Sequence, residues 1–299
     1  PRGDARRKVR QKMPMLSVMS AVLTSLGPTV TIAPGVSMPS INLGTCCGSE
    51  PKVGLDPWLS AGGTGIDTAW DYHDQVDIRS GLAKHPDIKR DQLFITTKVP
   101  AGFGNSTDCD PDPEITVRYV KENLVELGVD QVDLVLIHRP CQPAGSPRGP
   151  AKDPVASNNA LWAGAQKVLA MNLTRAIGVS NYATADLEAL KGPKPSVNQC
   201  RMSVETHDDD TIAYCQAHGI LYEAYFAMKG CPFADATAGA IAKTHNVSVS
   251  QVCLRYILER GCAMAVGTGA DASKAGAYAK ENLDIYGFSL SAAEVKQLE

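Results

Sequence analysis

The chain has 299 residues, 44% of them hydrophobic and 20% charged, with a formal net charge of −3. That balance offers no basic field for nucleic acid or anionic lipid, and no run approaches the ~20 apolar residues of a membrane span. Nine cysteines, an odd number in an otherwise ordinary composition, argue against a disulfide framework and for a reducing compartment, which points to the cytoplasm.

Residues 1–28 read as an extension. Arg2, Arg6, Arg7, Lys8, Arg10 and Lys12 precede an apolar run of roughly 12 residues, the layout of a secretory or organelle-targeting peptide. The competing reading is a disordered segment with a short helix. Three N-x-S/T sequons, at Asn105, Asn172 and Asn246, matter only if the protein is secreted.

From residue 29 the pattern becomes regular. T-V-T-I-A-P-G-V-S-M-P predicts a hairpin turning at Pro34-Gly35. Eight strand-like apolar runs follow: Ile41–Thr45, Gly65–Ala69, Leu93–Val99, Asp133–His138, Arg175–Ser180, Ser196–Arg201, Leu221–Phe226 and Cys262–Gly267. Helical spacing separates them, clearest over Ile115–Leu127, which Gly128 closes, and repeated at Leu161–Met171, Ala183–Leu190 and Thr211–Ala217. The first helix is weak, because Pro57 and Gly62-Gly63 interrupt it. Val249–Arg260 and Leu290–Leu298 read as two extra helices. His207 and the three aspartates after it, read against a metal site, suit a helix start better. Eight buried strands alternating with helices predict an α/β fold, a (β/α)8 TIM barrel with an N-terminal β-hairpin, as one domain over 29–299.

Polar side chains gather where these strands end, the face on which such barrels carry function. Asp67 and Tyr72 leave the second strand, Lys98 ends the third and His138 the fourth. A phenol is a poor acid near neutrality, an adjacent ammonium favours its phenolate, and a carboxylate keeps a buried ammonium charged. An imidazole can donate to a substrate oxygen. The long loops Pro100–Asp112 and Arg139–Ser157 flank this set.

With these four residues in the words I-D-T-A-W-D-Y, T-K-V-P and L-I-H-R-P, and with I-G-V-S-N-Y and V-N-Q downstream, the chain resembles the aldo-keto reductases from about Thr29 to Leu298. The resemblance implies a reductase of aldehydes or ketones that binds cofactor first, with Tyr72 as general acid and Asp67, Lys98 and His138 as its catalytic partners. It implies NADPH as cofactor, with NADH the alternative, and Gly44, Thr45, Asp67, Ser180, Asn181, Gln199 and Tyr225 around the nicotinamide. Gly267, Thr268, Gly269, Lys274, Glu281 and Asn282 are expected along the phosphates and adenine. Thr268 and Tyr278 stand where relatives carry basic residues for the 2′-phosphate, and Phe226 stands where a serine is frequent. The substrate pocket is expected to include Cys46, Trp70, Tyr72, His138 and Arg139, with no metal. Arg139, where many relatives have tryptophan, suits either an anionic or phosphate-bearing substrate or a pairing with a loop carboxylate. Relatives continue past the position of Glu299 with a tail that shapes the pocket, so the expectation is an open site or a shortened sequence. The partner is a small carbonyl compound, and the protein a monomer or weak oligomer. Two rival readings remain: a catalytically weak nucleotide-binding regulatory subunit on the same fold, as in potassium-channel β subunits, and an aldolase-type barrel with a Schiff base at Lys98.

Overall fold

A computed structural model of the chain describes residues 25–102 and 108–299. The expected targeting segment lies outside them except for residues 25–28, and so does the sequon at Asn105.

The hairpin forms from β1 (Thr29–Ala33) and β2 (Val36–Pro39), which pair antiparallel about Gly35 at φ 71°. It lies under the barrel. Met38 and Val36 pack with Phe94, Leu134, Leu136, Ala176, Val197 and Ala263, so an apolar plug closes the floor. Above it run β3 (Ile41–Gly44), β4 (Gly65–Asp67), β5 (Phe94–Val99) and β6 (Val132–Ile137). Next come two-residue strands β7 (Gln142–Pro143) and β8 (Pro150–Ala151), paired within one loop, then β9 (Thr174–Ser180), β10 (Val197–Arg201), β11 (Leu221–Tyr225) and β12 (Ala263–Val266). Parallel pairing in the order β10-β11-β12-β3-β4-β5-β6-β9 closes an eight-stranded barrel. Each strand of that barrel matches one of the eight runs expected from the sequence to within about two residues at either end. At the floor, Asp133 accepts from Arg90, Arg175 and the amide of Ile95, all within 2.8 Å, tying three strands together.

The helices are α1 (Pro51–Ser60), α2 (Gln75–Leu82), α3 (Glu114–Leu127), α4 (Pro154–Ala170), α5 (Thr184–Ala189), α6 (Asp209–Ala217), α7 (Ala236–His245), α8 (Val249–Glu259), α9 (Ala272–Leu283) and α10 (Ala292–Leu298). Trp58 of α1, Trp162 of α4 and Tyr256 of α8 are wholly buried in the main core. Two helical expectations need correction, and one helix was not expected. Helix α1 runs unbroken through Pro57, because Leu55, Trp58 and Leu59 bury the turn that proline weakens. Helix α4 starts seven residues before Leu161, capped by Asp153, which accepts from the Ala156 amide at 3.0 Å, with Pro154 at its first position. Helix α7 is alanine-rich and buries Ala238, Ile241 and Ala242, too slight an apolar stripe to stand out in the sequence. Asp208 caps α6 by accepting from the Thr211 amide at 3.1 Å.

The reading of the cysteines is also corrected. Cys109–Cys141, Cys231–Cys253 and Cys46–Cys47 form disulfides, leaving Cys200, Cys215 and Cys262 free. The first joins the loops beyond β5 and β6, and the second ties the loop beyond β11 to α8. Partners 32 and 22 residues apart meet only once the barrel closes, and spacing alone does not reveal that. Disulfides persist in oxidising compartments, so the cysteine argument for the cytoplasm no longer holds. Among the described residues, no helix is long and apolar enough to cross a membrane.

Candidate active site

Four strand ends build the centre. Asp67, last in β4, and Lys98, inside β5, meet with Nζ 2.5 Å from Oδ1, and Lys98 also donates to the Thr68 carbonyl at 3.0 Å. Both are almost inaccessible to water, where a charge is tolerable only when paired. Burial pushes the Lys98 ammonium down, but Asp67, Tyr72 and Glu223 outweigh it and its pKa is raised. The other Asp67 oxygen accepts from Gln199 Nε2 at 2.8 Å, and the same amide nitrogen donates to Glu223 at 2.8 Å. Burial raises the Glu223 carboxyl to about 8, with Asp67 adding to it.

Beyond β4 a single 3-10 turn, Trp70–Tyr72, carries the phenol back over Lys98. The Lys98 ammonium lies 5.1 Å from the centroid of the Tyr72 ring. The expected acidification does not follow. Burial pushes the Tyr72 phenol up to about 12, Lys98 counters it in part, and Asp67 and Asp74 push the same way as burial. The ammonium is already neutralised by a carboxylate at contact distance, so the phenol feels a pair rather than a lone cation. It is therefore protonated throughout the neutral range.

His138, just past β6, sits edge-on to Tyr72 with centroids 5.6 Å apart. Its Nδ1 lies 3.0 Å from Asp71 Oδ2, and both side chains are at least 95% buried. Burial, then Lys98 and Arg139, hold the imidazole well below its usual pKa, so it is neutral. Burial raises the Asp71 carboxyl to about 7.

The remaining polar groups interlock. Ser180 Oγ donates to the Gln199 carbonyl at 2.7 Å, the Asn181 amide donates to Ser180 Oγ and to the His138 carbonyl, and the Tyr225 hydroxyl donates to Asn181 Oδ1 at 2.6 Å. Three non-glycine residues of this lining, Cys47, Asn181 and Phe226, have φ of 62° or 63°, and His73, just after Tyr72, has φ 54°. Strained backbone of that kind concentrates where function over-determines the fold.

A cavity of about 450 Å³ opens above the centre, a size suited to a small organic ligand. It is lined by Tyr72, His138, Asp67 and Gln199 on its floor, by Gly44, Cys46, Ser180, Asn181 and Tyr225 on its walls, and by Gly267 and Gly269 at one end. Arg139 belongs to the lining too. Other expected residues lie elsewhere. Trp70 turns outward, donating to Glu122 of α3 at 2.8 Å and packing on Tyr119. Thr45 donates to the Asp67 carbonyl at 3.1 Å. Thr268 is buried toward Gly54 of α1, Asn282 donates to the Gly267 carbonyl at 3.3 Å, and Glu281 accepts from Ser248. Lys274 is exposed and pairs with Asp271 at 3.6 Å. Sequence reading passed over Asp71, Glu223, Arg148 and Lys229. The last two line the cavity, with the Lys229 ammonium 3.8 Å above the Phe226 ring. A charged residue within an apolar strand was the signal available for Glu223.

Residues 52–237 match the model of the Aldo/keto reductase family. Morphine 6-dehydrogenase of Pseudomonas putida is 28% identical over 291 residues, covering 91% of this chain and 90% of that protein. Glyoxal reductase of Bacillus subtilis is 31% identical, covering 92% and 93% respectively. The crystal structure of a Bombyx mori aldo-keto reductase in complex with NADP superposes with a TM-score of 0.77 at 26% identity, covering 92% of each chain.

Proposed function

The chain belongs to the aldo/keto reductase family, and from that premise we propose that it is an NADPH-dependent reductase of aldehydes or ketones with Tyr72 as general acid. The single observation that carries this reading is Tyr72 packed against a buried Lys98–Asp67 pair on the floor of the cavity, beside His138.

A nicotinamide nucleotide fits the residues present. Gln199 Nε2 is committed to two carboxylates, which leaves its Oε1 as the acceptor for a carboxamide N–H₂, with Asn181 and Ser180 beside it. Gly267 has no room for a side chain, since a Cβ there would stand 2.7 Å from Ser49 Cβ, and Gly269 holds φ 75°. Such bare backbone lets a pyrophosphate approach closely. Lys229 supplies a charge where Phe226 has displaced a hydroxyl. NADP is what the Bombyx mori relative holds. When bound, the cofactor supplies hydride to the carbonyl carbon.

The protein's own groups handle the oxygen. His138 orients the carbonyl, and Tyr72 gives up its proton as negative charge develops. A nascent alkoxide is a far stronger base than a phenolate, so the transfer runs downhill even from a phenol pushed up to about 12. Lys98 then stabilises the phenolate left behind. Arg139 and Arg148 line the same cavity, and Arg148 helps burial hold the Arg139 pKa down. Two guanidiniums lining one cavity favour a substrate bearing a carboxylate or phosphate. The test is fluorescence titration with NADPH and NADH, then NADPH consumption with paired aldehydes, neutral and anionic. Saturable NADPH binding with faster turnover of the anionic aldehydes is expected, and no nucleotide binding at all would overturn the reading.

A further inference from the structure

Asp71 lies outside the four residues to which the reaction was assigned, yet its carboxylate reaches the imidazole that faces the substrate. Asp71 Oδ2 is 3.0 Å from His138 Nδ1, with both side chains almost wholly out of water. The contact is built by the single turn Trp70–Tyr72, which places Asp71 immediately before the acid. Asp71 therefore engages one ring nitrogen of a histidine whose side chain lines the cavity.

We propose that Asp71 is a positioning residue that, through a proton shared with His138, decides whether the cavity-side nitrogen donates to a carbonyl oxygen or accepts from an alcohol. The proposal rests on the reductase reading above. The proton count gives the two states. With two mobile protons on the pair, either the Asp71 O–H donates to Nδ1 or an imidazolium Nδ1–H donates to the carboxylate, and in both arrangements Nε2 carries hydrogen. When one proton leaves to water, the remaining one sits on Nδ1 and donates to the Asp71 carboxylate. Nε2 is then bare, an acceptor only. The first state polarises a carbonyl, and the second suits the reverse reaction, in which the substrate hydroxyl donates.

The surroundings agree with a pair that changes state near neutrality. Lys98 faces it from β5 and Arg139 from the loop beyond β6, both disfavouring an imidazolium. Tyr72, on the same turn, stays neutral through this range. Glu122 on α3 is engaged by the Trp70 indole behind the turn, and from β9 the Asn181 amide donates to the His138 carbonyl. Burial moves the Asp71 carboxyl from the acid range to about 7. A carboxyl with a raised pKa holds its proton below that value and releases it above, so carbonyl reduction is favoured on the acid side and alcohol oxidation on the alkaline side.

Two measurements test this separately from the reductase assignment. Long-range proton–nitrogen NMR of the cofactor-free protein reads the tautomer directly, with His138→Gln identifying the signals. The His138 Nε2 shift should pass from protonated to bare as pH rises through about 7, and in Asp71→Asn it should stay in one form, because an amide does not titrate. A shift that is constant in the wild type, or that moves equally in Asp71→Asn, overturns the proposal. The wild-type result alone decides should the variant fail to fold. In turnover, kcat/KM for aldehyde reduction should fall about tenfold between about pH 6 and about pH 8 in the wild type and by less than about twofold in Asp71→Asn. Equal slopes would overturn it. Absence of NADPH consumption with every carbonyl would remove the reductase reading, while the NMR titration still judges the tautomer.

Discussion

At the scale of single residues, the centre works by pairing charges that could not be buried alone. Lys98 is charged because Asp67 holds it, and Asp67 is held in turn by Lys98 and by Gln199. Lys98→Met leaves that buried carboxylate with an amide in place of an ammonium. Unfolding in urea should show a loss of about 3 kcal/mol, the low end for one orphaned member of a buried pair, and aldehyde reduction should drop at least about a hundredfold as the phenolate loses its counter-charge. Loss of stability with turnover unchanged would separate Lys98 from the chemistry. Asp67, Tyr72, Lys98 and His138 were legible in the sequence because each stands at or near the end of an apolar run. Asp71 was not. Whether it faces Nδ1 of a histidine 67 residues away depends on the direction of one 3-10 turn, which no periodicity encodes.

At the scale of elements, buried parallel strands are continuous apolar runs bounded by turn residues, so all eight could be read before folding. Helices that bury only two or three small side chains, such as α7, could not. The start of α9 shows the same limit with a functional consequence. Thr268 and Lys274 were expected along the phosphates and adenine there, but Asp271 occupies the cap, accepting from the Ser273 amide at 3.0 Å and its hydroxyl at 2.6 Å. Its carboxylate opposes a phosphate at the helix end where an anion would otherwise be welcome. Asp271→Asn preserves the cap and removes the charge. NADPH should then bind about two- to fivefold more tightly, with NADH affinity unchanged in the same fluorescence titration. An equal gain for both nucleotides would show that Asp271 acts on the fold and not on the 2′-phosphate.

For the whole molecule, the barrel supplies the frame and cross-links fix the loops above it. Cys109–Cys141 joins the loops beyond β5 and β6, and Cys231–Cys253 fastens the loop beyond β11. Each closes a stretch long enough to contribute about 3 kcal/mol by restricting the unfolded chain, so reduction with dithiothreitol should lower Tm by roughly 10 °C. A Tm unmoved after complete reduction would show that the cross-links carry no stability. These bonds lay beyond sequence reading because they depend on which loops meet once the barrel closes. The most direct trial of the central claim compares NADPH consumption by the wild type and Tyr72→Phe on one aldehyde, with NADPH affinity measured in both. A phenol acting as acid predicts unchanged affinity and a kcat at least about a hundredfold lower in the variant, whereas full turnover by Tyr72→Phe would contradict it.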